Sequence, residues 1–495
     1  MLKKYLNIIE SGKDVKANLL ELKNYLKGQF EESSEDLEKA AVILKGSLAD
    51  EDPKIRKNSA YCLGFIGDKI NSEDITEVLY ESYLSDDTKY NKAAYLEALG
   101  HLDISSVRDD LLKHREELCS LNYAAEDKKH ILEEISELNR ILRDVIEKEH
   151  EFTGYSLINE AVLLTNRNFK NITIDELKNI PHKEFTAGVM VKTKNIRKVM
   201  DCRTFTELLF IPDDLKVVEK DAEAAARTMI EGGLIDYLEQ RHSNPDAPFY
   251  FRVEFRGKDE KKKADLEKRM AGEIELASHW KLINSTSDYD LEFRFIENSA
   301  EKLQFLIGMR AFPDMRFDYR KKTISAGMKP SLAALLVRLS ADYIKDNAAV
   351  LDPMCGSGIF LIERNKYRSA RIMYGVDIFG EAVAAAKENV KAAGISSKCE
   401  LINKDIIEFK HQFKFDEIIT DMPRITSGKD RSLIEKLYMD FLAKAKGLME
   451  ENGSLFIFTH NRDILRKYTL KYSYTIKAEF EISKMEEAYY FILKR

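Results

Sequence analysis

A chain of 495 residues that is 44% hydrophobic and 33% charged, with only 22 glycines and 9 prolines, does not fit the collagen-like, low-complexity or disordered classes. At roughly 100–200 residues per domain it predicts about three globular domains. The net charge of −7 is unevenly placed: residues 1–150 carry 22 Lys and Arg against 32 Asp and Glu, and the remainder 56 against 53. A polyanion-binding surface is therefore expected only from local basic clusters downstream. Five cysteines, Cys62, Cys119, Cys202, Cys355 and Cys399, are odd in number and never spaced CxxC. They speak for a reducing cytoplasm and against a disulfide framework or a zinc site. No apolar run approaches the roughly 18 residues of a membrane span, and Met1 to Lys13 lacks a leader pattern, so neither membrane insertion nor secretion is expected.

Residues 1–150 read as all-helical, with apolar positions at helical spacing in Leu19, Leu22, Leu26 and in Ile131, Ile135, Leu138, Ile141. An offset of 36 aligns Asp14, Asp50 and Asp86, then Gly28, Gly64 and Gly100, with Leu48 on Leu84 and Leu63 on Leu99. The acidic, Pro-containing turn Asp50 to Pro53 before Ile55, Arg56, Ala60 and Leu63 resembles that of a HEAT repeat, a stack that commonly offers a surface to a protein partner. The plainer alternative is a helical extension that packs on the rest of the chain.

From about residue 158, short β-rich runs appear: Glu160 to Thr165, Thr186 to Val191, Leu208 to Ile211, Phe249 to Phe255 and Leu291 to Ile296. Helical stretches at Asp221 to Gln240 and Lys261 to Ala277 separate them, giving an α+β region divided at 155–215 and 216–300, followed by a linker at 301–330. Three basic groups are candidates for a phosphate backbone: Lys192, Lys194, Arg197 and Lys198; Lys261, Lys262 and Lys263; and Arg316, Arg320, Lys321 and Lys322. Such runs are more often solvated faces.

After a helix at Ser331 to Asp346, strands and helices alternate through residues 331–495. Strands are expected at Ala348–Leu351, Arg371–Val376, Cys399–Asn403, Glu417–Thr420, Ser454–Thr459, Ile476–Ile482 and Ala488–Leu493, a doubly wound α/β domain with an antiparallel excursion at its end. The first strand runs into Asp352-Pro353-Met354-Cys355-Gly356-Ser357-Gly358 and a helix near Ile359. Gly356 and Gly358 let the backbone approach a small molecule, and the helix start offers amide donors to a carboxylate. A dinucleotide fingerprint would want glycine where Leu361 stands, and a phosphate-cradling GxxxxGK[ST] is absent. Asp377 follows the second strand, where a carboxylate can accept from ribose hydroxyls, and Asp405 follows the third, near an adenine edge. Asp421-Met422-Pro423-Arg424 follows the fourth. Each acid alone is commonly a turn former or cap; four in sequence at strand ends suggest an adenosine ligand with an amino-acid end.

On these residues the last third resembles a class I S-adenosylmethionine-dependent methyltransferase. Asp421 to Arg424 is similar to the [ND]-P-P-[YF] and D-L-P-F motifs of enzymes that methylate exocyclic amino groups. Arg320 and Ala326-Gly327-Met328-Lys329-Pro330-Ser331-Leu332 resemble the linker and first helix of THUMP-containing RNA methyltransferases. Leu163 to Thr165, Gly188-Val189 and Arg203 to Phe210 resemble that family's ferredoxin-like segment, and Phe251 to Gly257 with Asp288 to Leu291 its THUMP module. The resemblance implies S-adenosyl-L-methionine as cofactor, held by Lys329, Pro330, Asp352, Cys355, Gly356, Ser357, Gly358, Asp377, Ile378, Asp405, Ile406 and Asp421. Its catalytic residues would be Asp421, Met422, Pro423 and Arg424, its partner a structured RNA (tRNA or rRNA), and its reaction methylation of guanine N2. Arg424 stands where the family has an aromatic, and its flat guanidinium can stack on a base. The alternatives are a noncatalytic RNA-binding assembly factor with a relic methyltransferase fold, and a protein glutamine methyltransferase.

Overall fold

The computed structural model describes all residues except 29, 71–72, 122, 124–125, 214, 258–262, 299–301, 326 and 426–430. Residues up to Ile146 form helices in antiparallel pairs, and the second members, Val15–Lys27, Pro53–Ile70, Lys89–Leu99 and Lys128–Ile141, pack on one another in series. The 36-residue period thus has a physical cause. Gly64 faces the next helix so closely that a Cβ there would lie 2.8 Å from the Ala98 Cα. Asp86, in the turn before Lys89–Leu99, receives Arg56 Nε at 3.0 Å and Nη2 at 2.9 Å, the Thr88 amide at 2.8 Å, Asn91 Nδ2 at 2.9 Å and the Tyr95 hydroxyl at 3.0 Å. Burial alone would raise its pKa, but the Arg56, Asn91 and Thr88 bonds outweigh it and hold the carboxyl well below the usual range. The helical core continues into the central region, whose Tyr250, Trp280, Ile283 and Tyr289 it buries. Arg143 Nη2 donates to Asp288 Oδ2 at 2.8 Å across the same junction.

The central region is a single sheet. In spatial order it runs His182–Phe185, Gly188–Thr193, Asn159–Leu164, Glu207–Ile211, Leu303–Met309, Leu291–Glu297, Phe249–Arg256 and Leu282–Asn284, with Val217–Val218 beside Leu303–Met309. The expected division at 215/216 is not a structural break, because Phe210 pairs with Ile307 and joins the two halves. Nor is 301–330 wholly a linker: Leu303–Met309 is a central strand, and only the residues after it lead on to the C-terminal domain. The expected helix Asp221 to Gln240 is two, Ala222–Glu231 and Leu234–Glu239, broken where Gly233 takes φ +82°.

The C-terminal sheet has the spatial order Cys399–Asn403, Ile372–Asp377, Ala349–Asp352, Phe415–Asp421, Met449–Thr459, Ala488–Lys494, Thr475–Ser483. The first five strands are parallel and the last two antiparallel, as the alternation predicts. The preceding helix is shorter than expected, Pro330–Leu339. This domain is fastened to the central sheet by buried charge pairs. Arg203 donates to Glu363 from Nε at 2.8 Å and Nη2 at 2.7 Å, and Arg338 Nε donates to Glu176 at 2.7 Å. Among the described residues no helix is long and apolar enough to cross a membrane.

Candidate active site

Parallel strands place their C-terminal ends, and the loops after them, on one edge of the sheet. There a cavity of about 830 Å³ opens, walled by Asp352 to Ser357, Asp377 to Phe379, Asp405, Ile406, Asp421 to Arg424, Leu433, Ile434, Leu437 and His460, with Ile324, Gly327 and Met328 crossing it from the preceding segment. Gly356 at φ +50° and Gly358 at φ +79° make the turn between the first strand and the helix Ile359–Tyr367. A Cβ at Gly356 would meet Ile324 Cδ1 at 3.2 Å. The loop is fixed from behind: the Gly356 amide donates to Asp377 Oδ2 at 2.8 Å and the Phe379 amide to Oδ1 at 2.9 Å. Asn389 Nδ2 donates at 2.9 Å to both the Ser357 and Lys322 carbonyls, tying the crossing segment to the loop. One oxygen of Asp405 accepts the Ile407 amide at 2.8 Å.

The fourth strand delivers Asp421 as its last residue, and the next three residues are mounted on neighbouring strands and helices. The Met422 amide donates to the Phe458 carbonyl at 2.9 Å, while the Pro423 carbonyl accepts from the Tyr438 hydroxyl at 3.2 Å and Asn461 Nδ2 at 3.1 Å. Among the described residues no donor or cation reaches the Asp421 carboxylate, and burial pushes its carboxyl up to about 7. Burial, with Asp377 and Asp421 nearby, also raises Asp352, and burial raises the Cys355 thiol. Met422 is buried, whereas Arg424 is exposed at the rim.

Most of the expected cofactor residues therefore converge on one cavity, but Lys329, Pro330 and Gly358 do not line it; Gly358 turns toward Ala386 instead. Pro330 opens the helix Pro330–Leu339, where its fixed φ and missing N–H are suited, and the chain has already turned away. Met328, Gly327 and Ile324 take that wall instead. The sequence reading also missed Phe379, Leu433, Leu437 and His460. His460 immediately follows the fifth parallel strand, so the rule that singled out the four aspartates could have found it.

The basic candidates separate. Arg316 is buried, paired with Asp314, and its Nη1 donates to the Phe205 carbonyl at 2.9 Å and the Cys202 carbonyl at 3.3 Å, so it is a structural anchor and not a phosphate contact. Arg320 is half-buried, while Lys321 and Lys322 are exposed. Lys261 and Lys262 lie outside the described residues, and Lys263 is 3.8 Å from Glu267. Lys192 is shared with Glu160 at 3.7 Å. Lys194, Arg197 and Lys198 are exposed, with no acidic group in ion-pair range among the described residues, and Arg197 lies 3.8 Å over the Tyr155 ring.

The strand order and the glycine loop facing acids at successive strand ends define a class I methyltransferase domain. Residues 318–484 match the family described as UPF0020: RMKL-like, methyltransferase domain. The chain is 27% identical over 260 residues to a tRNA (guanine(6)-N2)-methyltransferase of Methanocaldococcus jannaschii, covering 43% of this chain and 67% of the relative. It is 31% identical over 183 residues to a tRNA (guanine(10)-N2)-dimethyltransferase of Methanothermobacter thermautotrophicus, covering 37% of this chain and 51% of the relative. The chain thus spans between half and two thirds of these relatives. The crystal structure of TrmN from Thermus thermophilus has the same fold over 68% of this chain and 99% of its own, with a TM-score of 0.52 and 17% identity.

Proposed function

We propose that the protein is an S-adenosylmethionine-dependent RNA methyltransferase that modifies N2 of a guanine in tRNA, with rRNA as the alternative substrate. The observation that carries this reading is the placement of Asp421-Met422-Pro423-Arg424 in the same cavity wall as the Gly356–Gly358 loop and Asp377. The cradle suits the cofactor: Gly356, at positive φ, leaves room for its amino-acid end, Asp377 has lone pairs left for ribose hydroxyls, and Asp405 stands at the adenine end. When bound, the cofactor supplies an electrophilic methyl group on a sulfonium. The chain's own work is orientation: Asp421 accepts one N–H of the amino group, the Met422 carbonyl is available for the other, and Arg424 offers its plane to the base.

The central sheet is read as the ferredoxin-like and THUMP portions of such enzymes, with Lys194, Arg197 and Lys198 as its free phosphate contacts. The helical pairs are read as HEAT-like. Their open groove, lined by Asp14, Lys16, Lys54, Lys57 and Tyr90, is left for a protein partner. Five free cysteines agree with a cytoplasmic setting. The test is incubation of the purified chain with isotopically methylated cofactor and RNA from cells lacking the gene. Labelled N2-methylguanosine is expected; label in protein, or in no nucleoside, counts against the reading.

A further inference from the structure

Methylation of an amino group leaves a proton that must go somewhere, and Asp421 is already assigned to holding the amine as a carboxylate. Once protonated it would be a neutral acid in the cavity wall, while the Met422 carbonyl cannot carry a proton at all. His460 meets the requirement. It follows the strand Met449–Thr459, which pairs Asp421 with Phe458, so the chain continues alongside Met422 and Pro423. The next residue, Asn461, donates to the Pro423 carbonyl at 3.1 Å, fixing that segment to the tetrad. His460 lines the cavity and is half-buried, so it faces both the site and solvent. Its Nδ1 lies 2.8 Å from the Glu486 carbonyl, in the turn of the last hairpin. A carbonyl only accepts, so Nδ1 carries the hydrogen and neutral His460 keeps the lone pair on Nε2. The charged groups on the surrounding elements are Asp421 and Arg424 in the cavity wall, Arg462 and Asp463 on the following helix, and Lys484, Glu486 and Glu487 on the hairpin.

We infer that His460 is the proton acceptor of the reaction, an assignment that rests on the methyl-transfer reading above. The amine nitrogen forms the new N–CH3 bond, the S–CH3 electron pair stays on sulfur, and the proton of the methylated nitrogen passes to Nε2 of His460 and from there to solvent. Asp421 holds the amine, and His460 takes the proton.

Two measurements test this. In the free protein, the ¹⁵N signals of His460 are expected to show the Nδ1–H tautomer; the Nε2–H tautomer overturns the assignment. In single turnover, His460→Gly is expected to lose about a hundredfold in rate, as general-base removal does, to regain part of it with added imidazole, and to bind cofactor and RNA as the wild type does. His460→Gln, which can still donate to the Glu486 carbonyl but cannot take a proton, is expected to stay slow. A fast His460→Gln means that the residue only positions its neighbours, and an unchanged His460→Gly removes it from the chemistry; either contradicts the proton-acceptor role alone. A wild type that methylates no RNA contradicts the guanine-N2 reading and this assignment together.

Discussion

Asp86, between two helices, and Asp421, at the end of a strand, are the same side chain, and the chain treats them oppositely. Asp86, among the helical pairs, is satisfied by Arg56, Thr88, Asn91 and Tyr95, and its carboxyl is held low. Asp421, at the strand edge, has no donor among the described residues, and its carboxyl rises to about 7. A buried acid whose partners are supplied by the fold serves the fold; one left without partners inside a cavity is available to a ligand. The helical region uses Asp86 to lock one helix to the next, whereas the C-terminal domain sets its acids around a space and leaves Asp421 without a donor among the described residues.

The largest way to break that contrast is Asp421→Ala. It should lower methyl transfer by at least about a hundredfold, the loss expected of a positioning group in the transition state, while cofactor and RNA affinities measured by calorimetry stay nearly unchanged. Arg56→Ala should do the reverse: transfer survives, and the helical region loses about 2 kcal/mol in its denaturant transition as a buried carboxylate loses its cation. Asp377→Ala should weaken cofactor binding by about 1–3 kcal/mol, since it removes ribose acceptors and frees the Gly356 amide.

The pH responses should also oppose each other. Asp421 has a folded-state value near 7, above its ordinary 3.8, so its contribution to stability is complete below about 4 and falls as pH rises toward 7, while transfer, which needs the carboxylate, rises through the same range. Asp86 has a lowered folded value, so its contribution is present at neutral pH and is lost on acidification. Thermal melts across pH 2–8, compared with those of Asp421→Asn and Asp86→Asn, would separate the two signs, Asp421 acting between about 4 and 7 and Asp86 only below about 4. The smallest expected effect is at the basic loop: charge reversal of Lys194, Arg197 and Lys198 should reduce the slope of log affinity for RNA against log salt by roughly 0.7–0.9 for each phosphate that is no longer neutralised.

The doubly wound domain was legible because three of its parallel strands, Ala349–Asp352, Ile372–Asp377 and Phe415–Asp421, are short apolar runs ending in Asp. The expected Cys399–Asn403 strand coincides with the observed one, and the acids at Asp352, Asp377, Asp405 and Asp421 reach one cavity. The helical pairs were legible through their period. The central sheet was less so: His182–Phe185 is exposed and lacks alternation, Val217–Val218 is two residues long, and Leu303–Met309, the hairpin partner of Leu291–Glu297, joins the two halves through pairings with Phe210 and Val217–Val218 far upstream. Arg316 shows a related limit, since a basic run cannot reveal that one of its members stacks 3.4 Å over Phe205 and is buried. The mounts of the tetrad, Tyr438 and Asn461, come from elements that only the sheet brings together.

The central claim is that the cavity at Asp421 transfers methyl to a guanine amine. It is tested most directly by nucleoside mass spectrometry of RNA from a strain lacking the gene, restored with either the wild type or Asp421→Ala. The account predicts that N2-methylguanosine is missing from one RNA in the deletion strain, returns with the wild type, and does not return with Asp421→Ala expressed at equal level. An unchanged nucleoside profile in the deletion strain, or full restoration by Asp421→Ala, would contradict it.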